Sequence, residues 1–326
     1  MKVVITDCNF ESFAEERAMC QRDGHQLEIF QCKTPEEVRA RTADADALLV
    51  QYVPITEAVL ANLSRCQVIV RYGIGLDNID LVAAKAHGIP VCNVPDYGSE
   101  EVADHAVALA LTLARRIPLL DDSIRGGRWL ATTPTPLLSL RDICFAVAGA
   151  GRIGRATLER MRAFGCKLAA HDPFVSEREL ASLGVEKFSC EDLFAKADIL
   201  SLHLPMSAAT HHFVNRARLR SMKQSAILIN TSRGGLVDTL ALAAALEANE
   251  IAFAGLDVFE REPLEPDHPL RTCKNAVLTP HLAYYSAASV IRLQRFAAEE
   301  VERALRGQPL RCECAGVSGG TSSASP

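Results

Sequence analysis

Short apolar runs rich in β-branched residues recur along this chain, each separated from the next by a longer stretch of helical pattern. In the first third they read "KVVITD", "HQLEIF", "ALLVQ", "CQVIVRYG" and "GIPVCNV". These runs lack the strict apolar–polar alternation of a half-exposed strand. They match strands buried on both faces of a parallel sheet, with helices as the covering layers. Residues 1 to 98 therefore read as one α/β unit. The rhythm resumes with "DICFAVAGAG", "CKLAAHD", "ADILSLHLP", "SAILINTS" and "IAFAGLDVF", interleaved with helical patterns such as "RIGRATLERMRAFG" and "LVDTLALAAALEANE". A long helix, "EEVADHAVALALTLARR", leads away from the first unit. Residues 122 to 140, with Gly126, Gly127, Pro134 and Pro136, read as a loop or linker. The pattern "AASVIRLQRFAAEEVERALRG" predicts a helix long enough to return to the first unit, and the tail 315–326, "AGVSGGTSSASP", reads as disordered.

In open parallel sheets ligands bind beyond the carboxyl ends of the strands, so function is sought in the segments that follow them. The balance of 35 Lys and Arg against 40 Asp and Glu, a formal charge of −5, argues against nucleic acid or an anionic membrane as partner. The opening "MKVVITDCNF" lacks a signal-peptide layout, and no apolar run is long enough to span a bilayer, so a cytoplasmic protein with a small-molecule task is expected. The 11 cysteines are scattered. Only Cys312 and Cys314 lie close together, so free thiols are expected and no metal site is.

Gly149, Gly151 and Gly154 form G-x-G-x-x-G directly after the run "FAVA" and open a helical pattern. In that context the first glycine permits a tight turn, the second lets the backbone approach a pyrophosphate, and the third allows close helix–strand packing. The helix start then presents unpaired N–H groups to phosphate. Asp172 ends the next strand 18 residues after Gly154, near the spacing of a carboxylate that bonds a ribose 2′-hydroxyl. A carboxylate there repels a 2′-phosphate, which favours NAD over NADP. The competing reading of Asp172 is a turn cap before Pro173. Arg233, Glu262 and His281 fall in loops after strand-like segments. A hydride-carrying cofactor needs a proton donor or acceptor and a grip on the substrate's charge. Histidine suits the first role, a carboxylate can orient it, and an arginine fork suits a planar carboxylate. Each of the three also fits a helix cap or surface ion pair, and His281 fits a packing role.

The motifs "RYGIGLDNID", "GIPVCNVPDYGSEEVADHA", "AGAGRIGR", "HLPMSAATHH", "NTSRGGLVD", "AGLDVFEREP" and "TPHLAYYS", in that order, give the chain a resemblance to the D-isomer-specific 2-hydroxyacid dehydrogenase family over residues 40 to 310. It looks especially similar to the branch containing the C-terminal binding protein co-repressors. The resemblance implies an α/β architecture of two Rossmann-like or flavodoxin-like domains with parallel sheets and an intervening cleft. The discontinuous substrate domain would comprise residues 1–99 and 286–326, and an NAD-binding Rossmann domain residues 100–285. It implies that His281 is the acid/base residue, that Glu262 orients it, and that Arg233 binds a substrate carboxylate together with the backbone of Ile74 and Gly75. It also places Arg152, Ile153, Pro205, Thr231 and Asp257 around the cofactor, Asp257 near the nicotinamide carboxamide. A small 2-hydroxy or 2-keto acid is the implied substrate, and a homodimer with an arm from residues 105 to 145 the implied assembly. An NAD-sensing interaction scaffold, as in the co-repressors, is the alternative. Two departures stand out: Asp142 and Cys144 at the entry to the cofactor domain, and Tyr284 where the co-repressor branch has a tryptophan lining its substrate pocket. Tyrosine keeps the flat apolar surface and adds a hydroxyl that needs a partner when buried.

Overall fold

The computed structural model describes residues 1–133, 137 and 139–314. The tail 315–326, Pro134 and Pro136 lie outside the described residues. The chain divides into two compact units, Met1–Gly98 with the segment from Ser286 onward, and Ser99–Tyr285. The first unit holds five parallel strands, β1 (Lys2–Ile5), β2 (Gln26–Ile29), β3 (Ala47–Val50), β4 (Val68–Arg71) and β5 (Val91–Cys92), in the order β2-β1-β3-β4-β5. Val3, Val4, Ile5 and all of β3 are completely inaccessible to solvent. That burial on both faces explains why these runs carry no polar alternation.

The final helix, Ala287–Leu305, belongs to this first unit. Leu293, Ala297, Val301 and Leu305 recur every fourth residue and form its buried stripe. Its start is fixed by a reciprocal cap, in which Ser286 Oγ accepts from Ser289 N–H at 2.9 Å and Ser289 Oγ from Ser286 N–H at 2.8 Å. Gln294 on this helix donates to buried Glu16 at 3.2 Å, and Glu16 also accepts the Tyr72 hydroxyl at 2.7 Å. Burial pushes the Glu16 carboxyl up, against the opposing pull of Tyr72.

The second unit holds β6 (Cys144–Ala148), β7 (Lys167–His171), β8 (Glu186–Lys187), β9 (Ile199–Leu202), β10 (Ile227–Asn230), β11 (Phe253–Leu256) and β12 (Ala276–Leu278). They are all parallel, in the order β12-β11-β10-β9-β6-β7-β8. The chain winds one way from β6 to β8 and then returns to add β9 on the other side of β6. That reversal is the topological switch point at which doubly wound sheets bind dinucleotides. Asp142 and Cys144 do not prevent β6 from forming: Cys144 N–H donates to Asp198 at 2.8 Å, and residues 145 to 148 are fully buried.

One expectation is corrected. Residues 122–125 are not a linker but the last turn of a helix, Ile117–Arg125, with Pro118 in its first turn. Gly126 and Gly127, read as loop residues, are where it stops: Gly126 N–H still bonds Asp122 O at 2.8 Å, and Gly127 takes φ +72°. Among the described residues no helix is long and apolar enough to cross a membrane.

Candidate active site

The glycine loop leaves β6 at Ala148. Gly149 has φ +93°, a conformation open to glycine, and its N–H bonds His171 O at 2.9 Å. A Cβ on Gly149 would collide with the His203 carbonyl, and one on Gly154 with the Gly149 carbonyl. These two glycines therefore close the turn and press the helix Arg152–Arg162 against it. Gly151 differs, because a Cβ there meets no atom of the described residues within 4 Å. Its open side, at the helix start, is the face a phosphate would approach. Asp172, just beyond β7, accepts Ala150 N–H and Phe174 N–H, both at 2.8 Å. Each carboxylate oxygen keeps a lone pair for a ribose hydroxyl, so the turn-cap and ribose readings of Asp172 are compatible.

Buried Thr231 Oγ1 and His203 Nδ1 find no hydrogen-bond partner among the described residues. Burial pushes the His203 imidazole down to about 3, so it is neutral, and its Nε2 is 3.0 Å from Ser201 Oγ. Pro205 O accepts the Thr210 hydroxyl at 2.7 Å. Arg152 is exposed at the helix start, with Ile153 half-buried beside it. The open glycine loop, the carboxylate at the end of β7 and the orphaned polar atoms fit a dinucleotide.

The chemical side chains come from the adjacent strands β10, β11 and β12. Their last residues, Asn230, Leu256 and Leu278, are aligned in register. Arg233 lies three residues beyond that row, Glu262 six and His281 three. Glu262 Oε2 is 2.6 Å from His281 Nδ1, and Glu262 Oε1 accepts Phe259 N–H at 2.9 Å. Burial pushes the Glu262 carboxyl up, but the His281 hydrogen bond and charge, the Phe259 N–H and the Arg233 charge outweigh it and hold the group below its ordinary value. With Glu262 ionised, Nδ1 is the donor of that bond, which leaves Nε2 as the acceptor of a neutral ring. The charge of Arg233 acts on the Glu262 carboxylate; its carbonyl accepts Asn230 Nδ2 at 2.9 Å, and its Nη1 donates to Ser232 O at 2.7 Å.

The His281 loop is built around Asp257, which is completely buried. Its carboxylate accepts the Thr279 hydroxyl at 2.6 Å, Leu282 N–H at 3.0 Å and Ala283 N–H at 2.8 Å, and its carbonyl accepts His281 N–H at 2.7 Å. These bonds hold His281 at φ +55°, a conformation a histidine seldom adopts unaided. His105, from the helix Ser99–Ala114, lies 3.0 Å from Thr279 Oγ1. Neither His105 nor Thr279 was singled out from sequence, since nothing local to either residue points to Asp257. Tyr284 is half-buried, edge-on to Tyr285 at 6.4 Å.

In the first unit, Ile74 and Gly75 follow β4 across Gly73, which takes φ +133° and lies under the Arg71 guanidinium. Asn93 Nδ2 donates to Ile74 O at 2.8 Å. The N–H groups of Ile74 and Gly75 meet no acceptor among the described residues.

A glycine loop at the switch point of a doubly wound sheet, with a histidine–carboxylate pair and an arginine beyond the carboxyl ends of its strands, is an arrangement suited to a dinucleotide-dependent oxidoreductase. Residues 107–283 match the family model for the D-isomer specific 2-hydroxyacid dehydrogenase NAD binding domain. The chain is 36% identical to a glyoxylate reductase of Korarchaeum cryptofilum over 301 residues, 90% of this chain and 91% of that one. It is 38% identical to D-3-phosphoglycerate dehydrogenase of Mycobacterium tuberculosis over 288 residues, 87% of this chain and 54% of the relative, so it spans about half the length of that enzyme. A D-lactate dehydrogenase of Aquifex aeolicus, solved with NAD and lactic acid, superposes with a TM-score of 0.84 at 30% identity, covering 94% of this chain and 96% of that one. The chain belongs to the D-isomer specific 2-hydroxyacid dehydrogenase family.

Proposed function

We propose that the protein interconverts a D-2-hydroxy acid and its 2-keto acid with NAD. The observation that carries this reading is the 2.6 Å bond between Glu262 and His281 Nδ1, which fixes the ring and leaves Nε2 for a proton. When bound, NAD supplies the hydride acceptor, and NADH the donor. His281 Nε2 gives its proton to the carbonyl oxygen as negative charge develops there in reduction, and takes it back in oxidation. Glu262, itself anchored by Phe259 N–H, stabilises the charged ring. The Arg233 fork binds the substrate carboxylate bidentately. In the first unit taken by itself, the N–H groups of Ile74 and Gly75, which meet no acceptor among the described residues, are donors of the kind a carboxylate oxygen accepts.

Relatives named for glyoxylate, lactate and phosphoglycerate chemistry direct the first trials to small 2-keto acids such as glyoxylate and pyruvate. The test is single-turnover NADH oxidation by His281→Ala at saturating keto acid. Hydride transfer should slow by about 10²–10⁴-fold, while NADH binding, read by fluorescence titration, stays near parent. A folded H281A protein that transfers hydride as fast as parent overturns the assignment of His281, whereas partner-dependent activity that survives His281→Ala would favour the NAD-sensing scaffold instead.

A further inference from the structure

We propose that His211, His212 and Glu260 form a binding site for a late first-row divalent cation such as zinc, outside the His281–Glu262 pair. One ligand atom from each residue lies within 4.8 Å of the other two. The two histidines lie on the segment after β9, which is zipped to the residues following Arg233: His212 N–H bonds Gly235 O and Val214 N–H bonds Leu236 O, both at 2.8 Å. Glu260 lies on the loop after β11 with its carboxylate already oriented. Oε2 accepts Thr239 N–H at 3.0 Å and the Thr239 hydroxyl, which turns Oε1 to His212 Nε2 at 2.6 Å. A cation would take the place of the proton between Oε1 and His212 Nε2, released to solvent on binding, while the bonds to Oε2 keep the carboxylate oriented for ligation.

The His211 ring stacks on His212 with centroids 3.9 Å apart and planes at 25°. Stacked rings direct their lone pairs side by side, so coordination requires His211 to turn toward the cation. It is exposed, and its ring nitrogens make no hydrogen bond among the described residues, so the rotation breaks none there. Two imidazoles and a carboxylate suit zinc, cobalt, nickel or copper and are a poor set for magnesium or calcium, which take oxygen ligands. A bound cation would tie the segment after β9 to the loop after β11. The cysteine spacings that govern the expectation of no metal do not bear on this cluster, which adjoining histidines and a glutamate 48 residues away compose.

The experiment is equilibrium binding of Zn²⁺ to the reduced full chain, with Co²⁺ absorption reporting the donor atoms, in parent, His211→Ala and Glu260→Gln. His211 is exposed, and glutamine can keep a bond to Thr239, so both variants should fold. The parent should bind one cation without a thiolate charge-transfer band, with its melting temperature rising as zinc is added. Each substitution should weaken binding at least about ten-fold and remove the melting shift. Absence of zinc binding by the parent, or binding that survives His211→Ala at parent affinity, overturns the proposal. A thiolate band surviving either substitution also overturns it, by assigning the cation to cysteine.

Discussion

Gly234→Ala tests how the structure holds Arg233 and Glu262 in place. Gly234 is buried, and a Cβ built on it would overlap the Phe259 carbonyl group and the Glu260 nitrogen, at least about 1 Å short of the 3.4 Å at which ordinary contact begins. The three nearest atoms are all backbone, so no side-chain rotation relieves the clash, and the segment after β10 must part from the loop after β11. That loop contains the Phe259 N–H that anchors Glu262 at 2.9 Å, and Glu262 in turn orients His281. Overpacking of this size costs about 1–3 kcal/mol of stability, which a domain can survive, but a 1 Å misplacement of reacting groups can cost about 10²-fold in rate, or about 2.7 kcal/mol in the barrier. Gly235→Ala is the internal control. Its Cβ would meet Met206 Cε at 3.0 Å and Sδ at 3.2 Å, the far end of a flexible side chain that can move aside. In stopped-flow NADH oxidation with the best-used keto acid, Gly234→Ala should be slower than parent by about 10²-fold with NADH affinity little changed, and Gly235→Ala close to parent. A folded Gly234→Ala protein as fast as Gly235→Ala would refute the view that backbone contact between these loops positions the chemistry.

The three loop glycines should separate by phenotype. Gly151→Ala should keep the parent melting temperature yet weaken NADH binding, because its Cβ meets no atom of the described residues within 4 Å, whereas Gly154→Ala should lower the melting temperature itself; equal melting losses would contradict the division of roles. Asp172→Asn removes the charge expected to repel a 2′-phosphate while retaining an acceptor for Ala150 or Phe174, so fluorescence titration should show the parent's preference for NADH over NADPH narrowing. A parent that binds both equally would remove that role. His203 gives an acid-stability signature: its folded pKa of about 3 lies below the ordinary 6.5, so the unfolded state binds more protons in that window. Its stabilisation is complete above about 6.5 and is lost as pH falls toward 3. Between pH 7.5 and 5, urea denaturation of the parent should lose about 2 kcal/mol more than His203→Gln, and parallel losses would mean that the ring is hydrated in the folded state.

Patterns confined to neighbouring residues were legible in the sequence. The unalternating runs such as "ALLV" announced strands buried on both faces, and the glycine spacing after "FAVA" announced a dinucleotide turn, because both follow from local backbone geometry and periodic burial. Arg233, Glu262 and His281 were visible as chemically apt residues after strand-like runs, but family resemblance was needed to choose among their readings. Their association depends on the β12-β11-β10 neighbourhood and its register, which spacing along the chain allows without requiring. The two-residue strand β8 was too short to carry any pattern. The helix ending at Arg125 was hidden because the glycines that terminate it look the same as loop glycines. Asp257 reads in sequence as one more acidic residue after a strand; only the folded chain brings Thr279, Leu282 and Ala283 to its carboxylate and makes it the anchor of the His281 loop. Likewise, three glycines in a fingerprint look equivalent until the packed carbonyls of His203 and Gly149 close against two of them and leave the third open. Local sequence determines which conformations and chemistries each segment can offer, whereas contacts between residues far apart in the chain decide which of them face one another, since their energies depend on distances that no short window contains.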